Sequence, residues 1–95
     1  MKLHTLEAYP RARCTDGTTA GFYFSAGSSS DWIVLLESGG WCWDEASCAS
    51  RCASTDKCSS TTWAREREFR GIFASSEPRL ANANKVYSPS FACHL

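Results

Sequence analysis

The residues predict an α/β fold built from short strands, one or two helices and a disulfide-rich loop. Three observations carry that expectation. Trp32-Ile33-Val34-Leu35-Leu36 is an uninterrupted apolar run ending in the paired glycines Gly39-Gly40. Gly21-Phe22-Tyr23-Phe24 is an aromatic run between turn residues, and four of the six cysteines crowd into positions 42–58. Length sets the limit. Ninety-five residues make one small domain at most, or part of a larger one. A βαβ unit takes ~30 residues, so a complete large α/β enzyme does not fit.

Along the chain, Lys2-Leu3-His4-Thr5-Leu6 alternates as a short strand does. Asp16-Gly17 is a turn signal, so Cys14-Thr15-Asp16-Gly17-Thr18 leading into Gly21–Phe24 reads as a hairpin. Ala26–Ser30 is a flexible connection of small residues. Trp32–Leu36 has two β-branched residues and no polar one, the pattern of an internal strand buried on both faces. Residues 44–62 are rich in Ser, Thr, Ala and Cys and read as a disulfide-pinned loop with one helical turn near Asp44-Glu45-Ala46. Thr62–Arg70 reads as a helix supported by a Glu66–Arg70 pair and ended by Gly71. Pro78 breaks any regular element there, and Asn84–Tyr87 starts another strand.

Composition excludes several roles. Ten Lys+Arg balance ten Asp+Glu, which argues against nucleic acid or an anionic membrane surface as partner. No apolar run approaches the ~20 residues of a membrane-spanning helix. Cys14, Cys42, Cys48, Cys52, Cys58 and Cys93 are an even set in a small chain, which points to disulfides and an oxidising compartment. The C-x5-C-x3-C-x5-C spacing of the central four departs from the paired short gaps of zinc sites, although zinc and unpaired structural thiols remain alternatives. No metal ligand set and no cofactor site are expected. Met1–Leu6 has no apolar core of a signal peptide. Met1 as an internal start, with the leader absent, reconciles it with the cysteines.

Catalytic signals are sparse. Glycines after a buried strand let main-chain N–H groups turn toward a developing oxyanion, as in the loop that follows one strand of many hydrolases. A tight turn packing Trp41 and Trp43 explains Gly39-Gly40 as well. No G-x-S-x-G elbow occurs, and Ser28, Ser29, Ser30 and Ser38 lack its frame. His4 and His94 lie near the chain ends and read as surface or packing residues. Asp44-Glu45 and the Arg65–Arg70 charges read as solvated faces. Glu37 directly follows the apolar strand, so a hydrogen-bond partner there would serve structural support.

Taken together, five segments in order resemble the pectin acetylesterase family, which includes the Notum-type carboxylesterases. Cys14–Phe24 resembles its C-x-D-G-S/T-x-x-G-Y/F-Y segment, and Trp32–Cys42 its W-L-V-x-L-E-G-G-G-W-C signature. Cys48, with Arg51 in frame, matches a downstream cysteine. Gly71–Pro78 resembles G-I-L-S-S-x-x-P, and Asn82–Tyr87 resembles N-x-N-x-V. The match runs over residues ~3–87 and a tail, 88–95, diverges. The single expected domain, 1–95, is thus an N-terminal part of that family's domain, its end marked by truncation or an altered frame. Ser38 replaces the first glycine of E-G-G-G-W, Arg79-Leu80-Ala81 is shorter than the family's stretch, and Cys52 and Cys58 have no counterpart.

The resemblance implies an α/β-hydrolase-like fold and a secreted or cell-wall serine carboxylesterase that deacetylates pectin or another glycan, or deacylates a protein. It places oxyanion-loop donors at Gly40 and Trp41, with Gly39 supporting the turn. It implies that the Ser, Asp and His of the triad lie beyond the matched region, so the chain alone is expected to be inactive. An alternative from the residues is a small secreted disulfide module without activity, binding a partner through Trp41, Trp43 and Trp63.

Overall fold

The computed structural model describes residues 1–37, 42–54, 56–90 and 93–94. In chain order the strands are β1 (Lys2–Thr5), β2 (Arg13–Cys14), β3 (Gly21–Ser25), β4 (Trp32–Leu36), β5 (Asn84–Ser88) and β6 (Cys93–His94). Helix α1 spans Glu45–Ser54 and helix α2 Pro78–Ala81, with 3-10 segments at Asp56–Cys58 and Gly71–Ala74. Four strands make a mixed sheet in the order β1-β3-β5-β4, and β2 pairs with β6. β3 is antiparallel to β1 and β5, whereas β4 runs parallel to β5 with Val34 opposite Val86. The α/β class expected from the residues is the class observed.

Every expected strand forms, but two placements differ. Asp16-Gly17 turns the chain with Gly17 at φ 88°, and Thr18 accepts from the Cys14 N–H at 2.8 Å. The hairpin stops there, at an Arg13–Thr19 bridge, and β3 pairs with β1 instead of the Cys14 segment. β4 is an edge strand, not an internal one. Ile33 is buried, while Trp32, Val34 and Leu36 stay 59%, 61% and 58% exposed. Among the described residues no strand lies beyond β4, so an apolar pattern suited to two covered faces finds one.

Three local expectations are also corrected. Residues 45–54 form ten residues of helix where one turn within a loop was expected. Its start is a reciprocal cap: the Ser47 N–H donates to Asp44 Oδ1 at 2.7 Å, and the Asp44 N–H to Ser47 Oγ at 3.1 Å. Disulfides Cys42–Cys48 and Cys52–Cys58 then fasten the helix near both ends. Asp44 is therefore a cap, not merely a solvated charge. Thr62–Arg70 is not a helix. The Leu3 N–H donates to Arg65 O, the Arg67 N–H to Met1 O and the Met1 ammonium to Arg67 O, so this stretch lies along the outer edge of β1. A Glu66–Arg70 pair worth ~0.2–0.5 kcal/mol does not outweigh those bonds. Pro78 starts α2 at its first turn, where its missing N–H costs nothing.

The connection 26–30 is bound rather than free. Ser28 and Ser29 donate backbone N–H groups to Asn82 O, and the Gly27 N–H reaches Asn84 Oδ1 at 2.8 Å. A Cβ at Gly27 would strike the Asn82 and Ala83 main chain. Two small cores result. Ala12, Cys14, Ala20 and Cys93 gather with Leu6 and Trp63, and Ile33, Phe73 and Ala83 gather with Met1, Leu80 and Tyr87.

All six cysteines form disulfides, the third being Cys14–Cys93 across 79 positions. That pairing removes the zinc and free-thiol alternatives. Loop-closure entropy assigns about 4–5 kcal/mol to a bridge of that span and about 2 kcal/mol to one closing a few residues. The Cys14→Ser/Cys93→Ser double variant is therefore expected to lose more stability than Cys42→Ser/Cys48→Ser, and urea unfolding ranks them. Gly27→Ala is expected to cost about 1–3 kcal/mol in the same experiment, because main chain cannot retreat from the new methyl.

Candidate functional site

Open α/β sheets place their chemistry at the carboxyl ends of parallel strands, where connecting loops converge. β4 and β5 are the parallel pair here, and their carboxyl ends carry Glu37 and Ser88. The Glu37 N–H donates to Ser88 O at 3.0 Å, extending the ladder one residue past β4. Its carboxylate accepts a 2.9 Å hydrogen bond from the Tyr87 hydroxyl. This is the partner that desolvation after an apolar strand demands. The segment Gly39-Gly40-Trp41, named from the sequence as the oxyanion loop, lies outside the described residues. What is described is its frame: Glu37 on one side, and Cys42 bridged to Cys48 at the start of α1 on the other.

Tyr87 is the residue that sequence reasoning missed. It sits on β5 opposite Leu35, with Phe73 edge-on at 6.0 Å and Tyr23 at 6.2 Å between ring centroids. The Arg67 guanidinium lies 5.0 Å from the Tyr87 ring centroid and 5.5 Å from that of Tyr23. Such contacts are worth about 0.5–1 kcal/mol at exposed sites. The Tyr23 hydroxyl donates to Ala64 O at 2.5 Å, so both tyrosines tie the 63–70 stretch to the sheet. Leu35, Glu37, Arg67, Ile72, Phe73 and Tyr87 line a cleft of about 270 Å³. The only available signal was the odd-residue alternation of β5, which puts Lys85 and Tyr87 on one face; the partner of Tyr87, Glu37, comes from a distant stretch.

Burial pushes the Tyr87 hydroxyl above the ordinary tyrosine value of 10.0, and its bond to Glu37 adds to the shift, against the pull of Arg67. Burial also raises Tyr23 above 10.0, again opposed by Arg67. Both groups hold their proton more tightly folded than unfolded, so their contribution is complete below pH 10 and is lost as pH rises through the folded values.

The remaining candidates are dispersed. His4 is exposed and stacks on Phe22 at 5.5 Å, as a packing residue would. His94 lies in β6. Trp43 is 80% exposed, but Trp63 packs against the Cys14–Cys93 core, and Trp41 is outside the described residues. Trp63 thus serves a core, while Trp43 is open to solvent. No cluster of three or more His, Cys, Asp or Glu side chains suited to a metal occurs among the described residues.

Residues 1–90 match the family model described as Pectinacetylesterase. Over 92 residues the chain is 39% identical to pectin acetylesterase 5 of Arabidopsis thaliana, covering 90% of this chain and 21% of that protein. It is 36% identical over 94 residues to the inactive palmitoleoyl-protein carboxylesterase notum1b of Danio rerio, covering 94% of this chain and 67% of that protein. A solved structure of the Wnt deacylase Notum from Drosophila superposes with a TM-score of 0.82 at 39% identity, over 95% of this chain and 28% of that one. The chain spans less than a third of the Arabidopsis and Drosophila proteins. Its mixed sheet is α/β-hydrolase-like. The chain belongs to the pectinacetylesterase family of carboxylesterases.

The Glu37–Tyr87 bond yields a direct expectation. Tyr87→Phe should lose about 1.5–3 kcal/mol, the range for a hydrogen bond to a charged group. It should also flatten the fall in stability above pH 10, read from urea unfolding across pH 8–11.

Proposed function

We propose that this chain supplies the oxyanion-loop portion of a serine carboxylesterase. In this reading the N–H groups of Gly40 and Trp41, with Gly39 supporting the turn, donate hydrogen bonds to the carbonyl oxygen on which negative charge develops. The observation that carries it is the frame around that segment. A strand parallel to its neighbour is followed directly by Glu37, which is fixed by Tyr87 and Ser88, and a disulfide holds the chain at Cys42. Anchors on both sides suit preorganised donors, whose removal one at a time costs ~10²–10³ in rate. Ser38 in place of a glycine leaves both proposed donors untouched.

The substrate class follows the relatives: an acetylated pectin or other glycan, or an acylated protein. Three disulfides fit an oxidising, secreted or cell-wall setting. No helix among the described residues is long and apolar enough to cross a membrane. These 95 residues contain no G-x-S-x-G nucleophile, so they hold the charge-stabilising part without the group that creates the charge.

Two results test this. The purified oxidised chain should show no saturable hydrolysis of 4-nitrophenyl acetate, and turnover abolished by a serine-directed inhibitor would contradict it. In a chimaera where this chain replaces the matched residues of the Arabidopsis esterase, Gly40→Pro should lower kcat ~10²–10³-fold with KM little changed. Unchanged kcat in a folded chimaera would remove the oxyanion role.

A further inference from the structure

Glu37 poses an electrostatic problem for the segment it precedes. A carboxylate near main-chain donors repels the negative charge that those donors would stabilise. Glu37 is half-buried, and its Oε2 accepts from the Tyr87 hydroxyl at 2.9 Å, so its charge is fixed in place. Partly buried charges are screened less by salt than exposed ones. Gly40 is three residues further on, which the chain can span by at most ~11 Å. At an effective dielectric of ~20, two unit charges ~10 Å apart alter a rate roughly tenfold. A counter-charge on Glu37 would remove that penalty.

The 63–70 stretch supplies one. The Arg67 N–H donates to Met1 O at 2.9 Å, and the Met1 ammonium donates to Arg67 O at 2.9 Å, which holds the Arg67 main chain beside β1. From there a row of paired residues crosses the sheet: Leu3 opposite Tyr23, Tyr23 opposite Tyr87 and Tyr87 opposite Leu35. The Arg67 guanidinium lies over that row, 5.5 Å from the Tyr23 ring centroid and 5.0 Å from that of Tyr87. Arg67 and Glu37 therefore meet the same tyrosine, one at its ring and the other at its hydroxyl, and both line one cleft. Burial and Glu37 raise the Tyr87 hydroxyl above its ordinary value while Arg67 lowers it, as opposite charges acting on one dipole do. The other charged side chains lining the cleft, Glu68 and Arg70, are opposite in sign and add no net charge.

We propose that Arg67 is a positioning residue that offsets the charge of Glu37 through Tyr87, so that an oxyanion forms at Gly40 and Trp41 without an opposing charge beside it. The inference rests on the oxyanion reading. A ground-state carbonyl is uncharged, so the effect falls on kcat and not on KM. In the Arabidopsis chimaera, Arg67→Met keeps an aliphatic side chain over the rings but removes the charge. It should lower kcat ~10-fold with KM changed less than ~2-fold, whereas Arg67→Lys should retain most of the rate. The deciding variant is Arg67→Met with Glu37→Gln, which removes both charges and keeps an acceptor for Tyr87. Its kcat should return to within ~3-fold of the parent, a rescue that lost packing would not permit. Arg79→Met, which removes an exposed charge paired with Asp31, should leave kcat unchanged. Circular dichroism checks that each chimaera is folded, and Arg67→Gln replaces Arg67→Met if the latter is not. Unchanged kcat without the Arg67 charge, or a double variant no faster than the single one, overturns the proposal. A loss of kcat in Gly40→Pro alongside either result leaves the oxyanion reading standing. Unchanged kcat in Gly40→Pro overturns both.

Discussion

The pairing of β5 between β3 and β4 is the constraint on which the rest of this molecule hangs. Asn84–Ser88 accepts an antiparallel neighbour on one side and a parallel one on the other, so the main chains of residues 21–25 and 32–36 are joined through it. Each side chain then serves a different stretch. Asn84 holds the 27–31 connection through Gly27, Ser29 and Asp31. Lys85 is buried, its ammonium donating to Ala81 O and Ala83 O beside the Phe69 ring. Tyr87 receives Arg67 and binds Glu37. A buried lysine is tolerable here because carbonyls just past a helix end carry partial negative charge.

That arrangement explains how so small a chain is held. Its apolar clusters are slight, and the Arg79–Asp31 ion pair at 3.9 Å is exposed and adds little. Cross-links and main-chain bonds from distant stretches do most of the holding. Cys14–Cys93 fastens β2 to β6, and the 63–70 stretch is bound along β1. The same features bear on function. Tyr87 couples the centre of the sheet to the residue from which the proposed oxyanion segment departs.

Much of this was legible because local patterns are strong where side-chain and main-chain demands agree. The apolar run at 32–36, the aromatic run at 21–24 and Asp16-Gly17 each specify a local conformation, and each adopts it. The family signatures were legible too, since they join the glycines at 39–40 to the preceding Glu37. The α1 cap was present as Asp44 and Ser47 three residues apart, but the loop-like composition of 44–62 obscured it. The 62–70 stretch misled because its charges mimic helical spacing. Its hydrogen bonds go instead to Met1 and Leu3, which sequence proximity does not reveal.

Alone, the amino-acid order determined the strand segments, the Asp-Gly turn, the even set of cysteines and the family to which the chain belongs. These depend on neighbours within a few positions, or on residue identity itself. Tertiary structure alone decided which strands touch, which cysteines join, that Tyr87 is the partner of Glu37, and that the most apolar strand stands at an edge. The physical reason is that pairing and burial are settled between segments far apart in the chain, where the competition is for main-chain partners and covering surface. A pattern of residue types states what a strand needs, and only its neighbours in space determine how much of that need is met.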